Sequence, residues 1–384
     1  MKTNYDFAII GAGVFGAWTA RYLLDSGASV LLIDAYGVAN SRASSGGETR
    51  VIRMGYGPDE LYTRWSMQSL PVWQEFEARA GIEIFHRTGV LWLGHDSDPY
   101  TAGLWDVLTR HGVVCETLTA ADIRQRYPQM HFPDITWGVL EPFSGLLMAR
   151  RSVQALVEDA VKSGVAYMHA TALAPQSTGR SAELKTGAGE TISVGGLIYA
   201  CGPWLPKLFP LLLGDRIFPT RQEVFFIGAP PGSLDYQPPR MPVWLHHTHA
   251  ERPYALPAIE SRGFKIAFDL HGEEFDPDTG SRVVAAASQS RLRDYLKKHI
   301  PGLAEAPIVE TRVCQYENTW NGDFLIDRHP GYDNVWIVGG GSGHGFKHGP
   351  AVGEYVCARI LQNAPAEPRF SLAGKQAMRA RAVF

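Results

Sequence analysis

Residues 4–10 (Asn-Tyr-Asp-Phe-Ala-Ile-Ile) are apolar at almost every position after Asp6, the pattern of a strand buried on both faces. Gly11-Ala12-Gly13-Val14-Phe15-Gly16 then predicts a turn into a helix of about three turns, which Gly27 stops. Ser29 to Ile33 reads as a second buried strand closing on Asp34, and a polar, glycine-rich loop follows from Tyr36 to Thr49. The spacing over Pro58 to Ala80 predicts a long amphipathic helix. Short strand signals come at 82–85 and 90–94, and helical patterns at 100–111, 120–127 and 150–163. Between 165 and 200, apolar runs broken by glycine predict a small antiparallel unit leading into the strand Gly196–Gly202.

The stretch 218–318 is different. It carries strand signals at 222–228, 242–248, 263–270 and 308–316, with one helix near 287–299. Val335 to Gly339 returns to the buried-strand pattern, followed by a glycine-rich turn and a helix to about Leu361. A chain that opens and closes on one kind of unit with a sheet between is predicted to be interleaved. One domain takes 1–80, 145–217 and 320–384, and the other takes 81–144 and 218–319. The expected class is α/β, a Rossmann-like nucleotide domain interleaved with a mainly antiparallel-sheet α+β domain.

Composition narrows the function. The 384 residues exceed one ordinary domain, and 45% hydrophobic with 20% charged residues is a globular balance. A net charge of −3 without Lys/Arg runs predicts no nucleic-acid partner. No segment approaches the roughly 20 apolar residues of a membrane span. Met1 to Ile10, with Asp6 inside its apolar run, lacks the form of a secretory signal, so a cytoplasmic location is expected. Four scattered cysteines (Cys115, Cys201, Cys314, Cys357) form no CxxC pair, and neither a metal site nor a disulfide framework is predicted.

The glycine motif follows a predicted strand, opens a helix and ends in an acidic residue at the right distance, which predicts a dinucleotide site. Gly11 allows the tight turn, Gly13 the approach of the pyrophosphate, and Gly16 the close packing of helix on strand. The helix start at Val14 and Phe15 offers free N–H groups to phosphate. Asp34 would accept the ribose hydroxyls. NAD and FAD share this motif.

Three further segments decide between them: Gly46-Gly-Glu-Thr-Arg50-Val-Ile-Arg53-Met-Gly-Tyr56-Gly57, Arg312-Val-Cys314-Gln-Tyr316-Glu-Asn-Thr, and Asp323-Phe-Leu-Ile-Asp327 through Gly341-Ser-Gly-His-Gly-Phe-Lys347. With the glycine motif they make the chain resemble the monomeric sarcosine oxidase and N-methyltryptophan oxidase family, which has the D-amino-acid-oxidase-like flavoprotein fold. The resemblance implies FAD joined through its 8α-methyl carbon to a cysteine. It implies oxidation of a secondary amine or amino acid to an imine, with O2 reduced to hydrogen peroxide. By position it implies cofactor contacts at Ala35, Ser44, Ser45, Thr49, Arg50, Ala172, Cys201, Gly202, Trp204, Gly341, Gly343, His344, Gly345, Phe346 and Lys347.

The resemblance marks Cys314 as the flavin-linking cysteine, and a cation such as Arg312 or Arg50 would favour its thiolate. Cys115, Cys201 and Cys357 lack such a setting and read as core thiols. The Arg50 position lies against the flavin in this family, and the Arg53 position pairs with the substrate carboxylate as a bidentate fork. If the segment is helical, Arg50 and Arg53 share a face; if it is extended they point apart. Lys347 is implied as a second carboxylate contact, and Tyr316 as a hydrogen-bond partner or a packing residue. Lys265, interrupting an apolar strand pattern, matches the lysine that activates oxygen, since a cation stabilises superoxide in a dry site. Tyr254 would line the same cavity, its face open to a cationic amine. The surrounding cations would lower the bound amine's pKa, so no separate base is called for.

Gly46, Met54 and Asp269 stand where sarcosine oxidase has histidines. Asp269 either neutralises Lys265 or recognises a positive group on a larger substrate. Tyr254 and Trp320 suit a bulkier side group. N-alkyl, cyclic imino and glycated amino acids all stay open as substrates of a monomeric oxidase. The alternatives are a flavin dehydrogenase passing electrons to a protein or quinone, and a non-catalytic dinucleotide-binding module.

Overall fold

The computed structural model describes residues 4–176 and 179–377. Residues 1–3, 177–178 and 378–384, which the sequence pattern assigned to the nucleotide domain, lie outside the described residues. The first strand, β1 (Asn4–Ile10), is followed by helix α1 (Val14–Asp25) and strand β2 (Val30–Asp34). β1 pairs in parallel with β2, Phe7 opposite Val30, and with the strand Thr191–Tyr199, Ala8 opposite Leu197. A seven-stranded sheet results, its order along the main path being Leu325–Arg328, Val335–Gly339, Thr191–Tyr199, β1, β2 and Ala166–His169.

The uninterrupted apolar pattern of these strands has a direct cause. Alternate residues feed two separate cores. Ile9, Val30, Leu32, Ile198 and Val338 pack with α1 and with the helices Ala149–Lys162 and Gly349–Leu361. Ala8, Leu31, Ile33, Leu197 and Tyr199 pack on the other face with Leu205, Phe209 and Leu213. Leu31 and Leu32 are both 0% exposed, each burial being worth about 1.5–3 kcal/mol.

Residues 165–200 correct the sequence expectation. Ala166–His169 is an edge strand parallel to β2, and Thr191–Tyr199 is a central parallel strand. Antiparallel pairing among the described residues there is confined to Glu183–Lys185 on Thr191–Tyr199 and the isolated bridge between Ala172 and Thr186. The glycines at 195 and 196 imitate a turn but stand at close approaches to Asp6 and Phe7 of β1.

The second sheet has eight strands, in the order Ile308–Asn318, Phe218–Ile227, Phe264–Phe268, Pro253–Leu256, Val243–Leu245, Val90–Gly94, Trp137–Glu141 and Glu116–Thr119. Its pairs are antiparallel except where Val243–Leu245 runs parallel to Val90–Gly94. The helix Ala286–His299 covers one face, with Leu292 and Leu296 against Phe225, Trp244 and Ile266. A three-stranded sheet joins β3 (Thr49–Ile52), Gly145–Met148 and Phe85–His86. Among the described residues no helix is long and apolar enough to cross a membrane.

Candidate active site

A cavity of about 370 Å³ opens at the carboxyl ends of β1, β2 and the central strands, where Ile10, Asp34, Ala200 and Val338 reach its wall. Open parallel sheets bind ligands at this edge. Gly11, Gly13, Val14 and Phe15 form one side of it, and Ala35, Ser44, Ser45 and Arg50 another. Ala172, Cys201, Gly202 and Trp204 continue the wall to Cys314 and Tyr316, and Gly341, Gly343, Gly345 and Phe346 close it. Gly16, Thr49, His344, Lys347, Lys265, Arg53, Tyr254 and Asp269 are set back from this wall.

The turn needs its glycines for space. A Cβ added at Gly11 (φ +107) would lie 2.4 Å from the Ala200 carbonyl oxygen, and one at Gly16 would lie 1.9 Å from the Gly11 carbonyl oxygen. α1 starts with Gly13 as an N-cap without a side-chain bond, so its first amides are free for an anion. Asp34 accepts the N–H groups of Ala12 and Tyr36, each at 2.9 Å, and burial pushes its carboxyl up against those bonds. A backbone cradle, open amides and an acidic residue beside them fit the pyrophosphate and ribose of FAD.

β3 is extended through Arg50 and ends at Ile52, just before Arg53, and the two arginines meet different partners. Nη2 of Arg50 lies 3.5 Å from Sγ of Cys314 and donates to the Ser44 carbonyl at 2.6 Å. Arg312, the other candidate cation for this thiol, instead pairs with Glu48 at 3.2 Å. Lys265, 3% exposed, donates to the Thr49 carbonyl at 2.6 Å. Burial pushes its ammonium well down, with Arg50 adding to the effect and the Cys314 thiol opposing it. Cys115 and Cys357 pack in cores as expected. Cys201 does both things expected of it: it packs against a core cluster and lines the cavity, its thiol pushed well up by burial.

Arg53 and Lys347 meet at a residue that the sequence did not single out. The Arg53 guanidinium lies 4.2 Å from the ring centroid of Tyr56 and 4.6 Å from that of Trp92, and it donates to the Gly55 carbonyl. Lys347 donates to the Tyr56 hydroxyl at 2.6 Å and to the His344 carbonyl at 2.9 Å. Burial pushes the Lys347 ammonium well down, aided by Arg53 and opposed by Asp269. Asp269 accepts the Tyr316 hydroxyl at 2.8 Å, while Lys265 is turned to Thr49. Tyr254, its hydroxyl pushed up to about 12 by burial and then by Asp269, stands beside this pair. Trp320 donates its indole N–H to the Gly374 carbonyl at 3.1 Å.

Glu141 is a second residue missed in the sequence. Its carboxylate accepts Met54 N–H at 2.7 Å, Gly55 N–H at 3.0 Å, the Trp92 indole at 2.8 Å and the Ser144 hydroxyl at 2.5 Å, fixing the segment after Arg53. A lone Glu far along the chain from its partners gives no sequence signal. Tyr56 did give one, being inside the Arg50–Gly57 motif.

The family profile described as "FAD dependent oxidoreductase" matches residues 6–359. The chain is similar to the peroxisomal sarcosine oxidase of Mus musculus, 31% identical over 378 residues, covering 94% of this chain and 93% of the relative. It is similar to the N-methyl-L-tryptophan oxidase of Citrobacter koseri, 31% identical over 369 residues, covering 94% and 96%. The L-proline dehydrogenase from P. horikoshii shares the fold, with TM-score 0.84, 19% identity and coverage of 97% of this chain and 98% of that one. The chain belongs to the FAD dependent oxidoreductase family.

Proposed function

We propose that the protein oxidises a secondary amine or amino acid bearing a carboxylate to the imine. N-alkyl, cyclic imino and glycated amino acids are the candidate substrates, and O2 is the final acceptor, leaving as hydrogen peroxide. The observation that carries this reading is the convergence of Arg53 and Lys347 on Tyr56, near the Tyr316–Asp269 pair. The names of the sarcosine and N-methyltryptophan oxidases support the same substrate class. Bound FAD would supply the hydride acceptor at its N5.

The chain's own residues do the rest. Arg53 and Lys347 bind the carboxylate, and an arriving anion favours the ammonium form of Lys347 against its burial. The positive charge of Arg50, Arg53 and Lys347 lowers the bound amine's proton affinity and so frees its lone pair. Tyr254 and Tyr316 border the amine, and Asp269 holds the Tyr316 hydroxyl in place. Lys265 provides the positive charge for oxygen reduction. Asp34 would hold the ribose, and Cys314, beside Arg50, would hold the flavin through an 8α-S-cysteinyl linkage. Segments 1–80, 145–217 and 320–384 serve the cofactor and 81–144 with 218–319 the substrate, in a monomeric cytoplasmic enzyme.

The experiment is a peroxide-coupled screen of N-methyl, cyclic and glycated amino acids, with anaerobic flavin bleaching as a second readout. Bleaching with peroxide release on readmitting air is the expected result. Bleaching without peroxide makes the protein a dehydrogenase, and no bleaching by any of these amines overturns the reading.

A further inference from the structure

Glu317 lines the same cavity and has no part in the proposed chemistry. It is 8% exposed. Three glycines make room for its carboxyl. A Cβ added at Gly339 would lie 3.1 Å from Oε2, one at Gly341 3.1 Å from Oε1, and one at Gly202 3.7 Å from Oε2. Oε1 accepts the Gly341 N–H at 3.2 Å, and the Glu317 backbone carbonyl accepts the Ser342 N–H at 3.1 Å. Oε2 is buried and accepts no hydrogen bond from the described residues.

Among the described residues no cation pairs with this carboxyl. Burial pushes it up to about 7, and the groups opposing that are backbone N–H groups of Gly341 and Gly340. Cys201, on the segment carrying Gly202, is held well above its ordinary range by burial and then by Asp34 and Glu317. Tyr316, the neighbouring residue, is committed to Asp269, and His344 of the glycine loop contacts the Gly322 carbonyl at 2.9 Å. A dry carboxylate without a counter-ion costs several kcal/mol. A carboxylic acid avoids that cost and has one O–H to donate. The two phosphates of a dinucleotide add negative charge to the cavity and shift the balance further to the acid.

We propose that Glu317 is a carboxylic acid in the FAD-loaded protein, its Oε2–H serving as a hydrogen-bond donor of the cavity wall toward the dinucleotide. Loading then moves one proton from solvent onto the ionised fraction of Glu317. The carboxyl is a cofactor-binding residue, and it acts by remaining neutral beside an anion. This inference needs only that FAD occupies the cavity, and it stands whatever amine is oxidised.

The test is infrared spectroscopy of the FAD-loaded protein at about pH 8, where an ordinary carboxyl is ionised. The wild type and Glu317→Gln are compared in H2O and D2O. The expected result is a carboxylic-acid carbonyl band in the wild type that shifts in D2O and is wholly lost in the variant. Should the glutamine variant not accumulate, Glu317→Thr gives the same readout. Identical spectra of wild type and variant in that region would overturn the proposal, since a purely structural glutamate would be ionised and silent there.

Discussion

Lys347 holds its Nζ 2.6 Å from the hydroxyl of Tyr56, 291 positions away along the chain. The same hydroxyl lies 2.7 Å from Nε2 of His348 and 3.2 Å from Nδ1 of His344. The segment after β3 is thereby tied to the start of the last long helix. Tyr56→Phe removes an acceptor from the buried Lys347 and a partner from His348. The variant should be less stable by about 1–3 kcal/mol, read as a lower urea midpoint with unchanged slope. An unaltered midpoint would show that this hydroxyl is not what holds the two segments.

Arg53→Lys keeps the charge and loses the planar fork. Catalytic efficiency toward a carboxylate-bearing amine should fall by roughly a hundredfold, about 2.7 kcal/mol, while FAD content stays constant. An equal loss on a matching amine without the carboxylate would remove Arg53 from carboxylate recognition.

Lys265→Met takes out a charge buried next to Thr49 and close to Arg50. Stopped-flow measurement should show reoxidation by O2 slowed by about 100-fold or more, with flavin reduction by substrate nearly unchanged. Parallel slowing of both half-reactions would speak against an oxygen-activating role.

Cys314→Ala tests the covalent link. Acid precipitation of the wild type should leave the yellow colour in the pellet, and the variant should release it. Colour freed from the wild type would show that Cys314, although beside Arg50, holds no flavin.

His246 is 0% exposed, between the Tyr295 hydroxyl at 3.1 Å and Asp134 at 3.3 Å, and burial pushes it down to about 3. A free imidazole titrates near 6.5. As pH falls from about 6.5 toward 3, the unfolded chain binds a proton that the folded chain refuses, so stability decreases through that window. Thermal midpoints should drop on acidification, and less steeply in His246→Phe. A variant slope equal to that of the wild type would assign the acid sensitivity elsewhere.

The parts of the site that were legible in the sequence are those built from neighbouring residues. Gly11 to Gly16, with strands on both sides, carries its own conformational demands: positive φ at Gly11 and no room for a Cβ at Gly16. The motifs around Arg50, Cys314 and Gly341 were readable for the same reason. The small antiparallel unit expected at 165–200 was misread because glycines at 195 and 196, which serve close strand packing, look locally like turns. Glu141, which accepts the amides of Met54 and Gly55 from 87 and 86 residues away, left no local trace.

By itself, then, the sequence determined the strand–turn–helix that we propose receives a dinucleotide, and the residue types available for amine chemistry. Local backbone sterics and hydrophobic period act over a few residues and are written into the chain. Tertiary structure alone decided that Arg50 rather than Arg312 stands at Cys314, that Arg53 and Lys347 share Tyr56, and that Asp269 takes the Tyr316 hydroxyl rather than Lys265's Nζ. Charge pairing inside a protein depends on distance and desolvation, and both are set only when distant strands have packed.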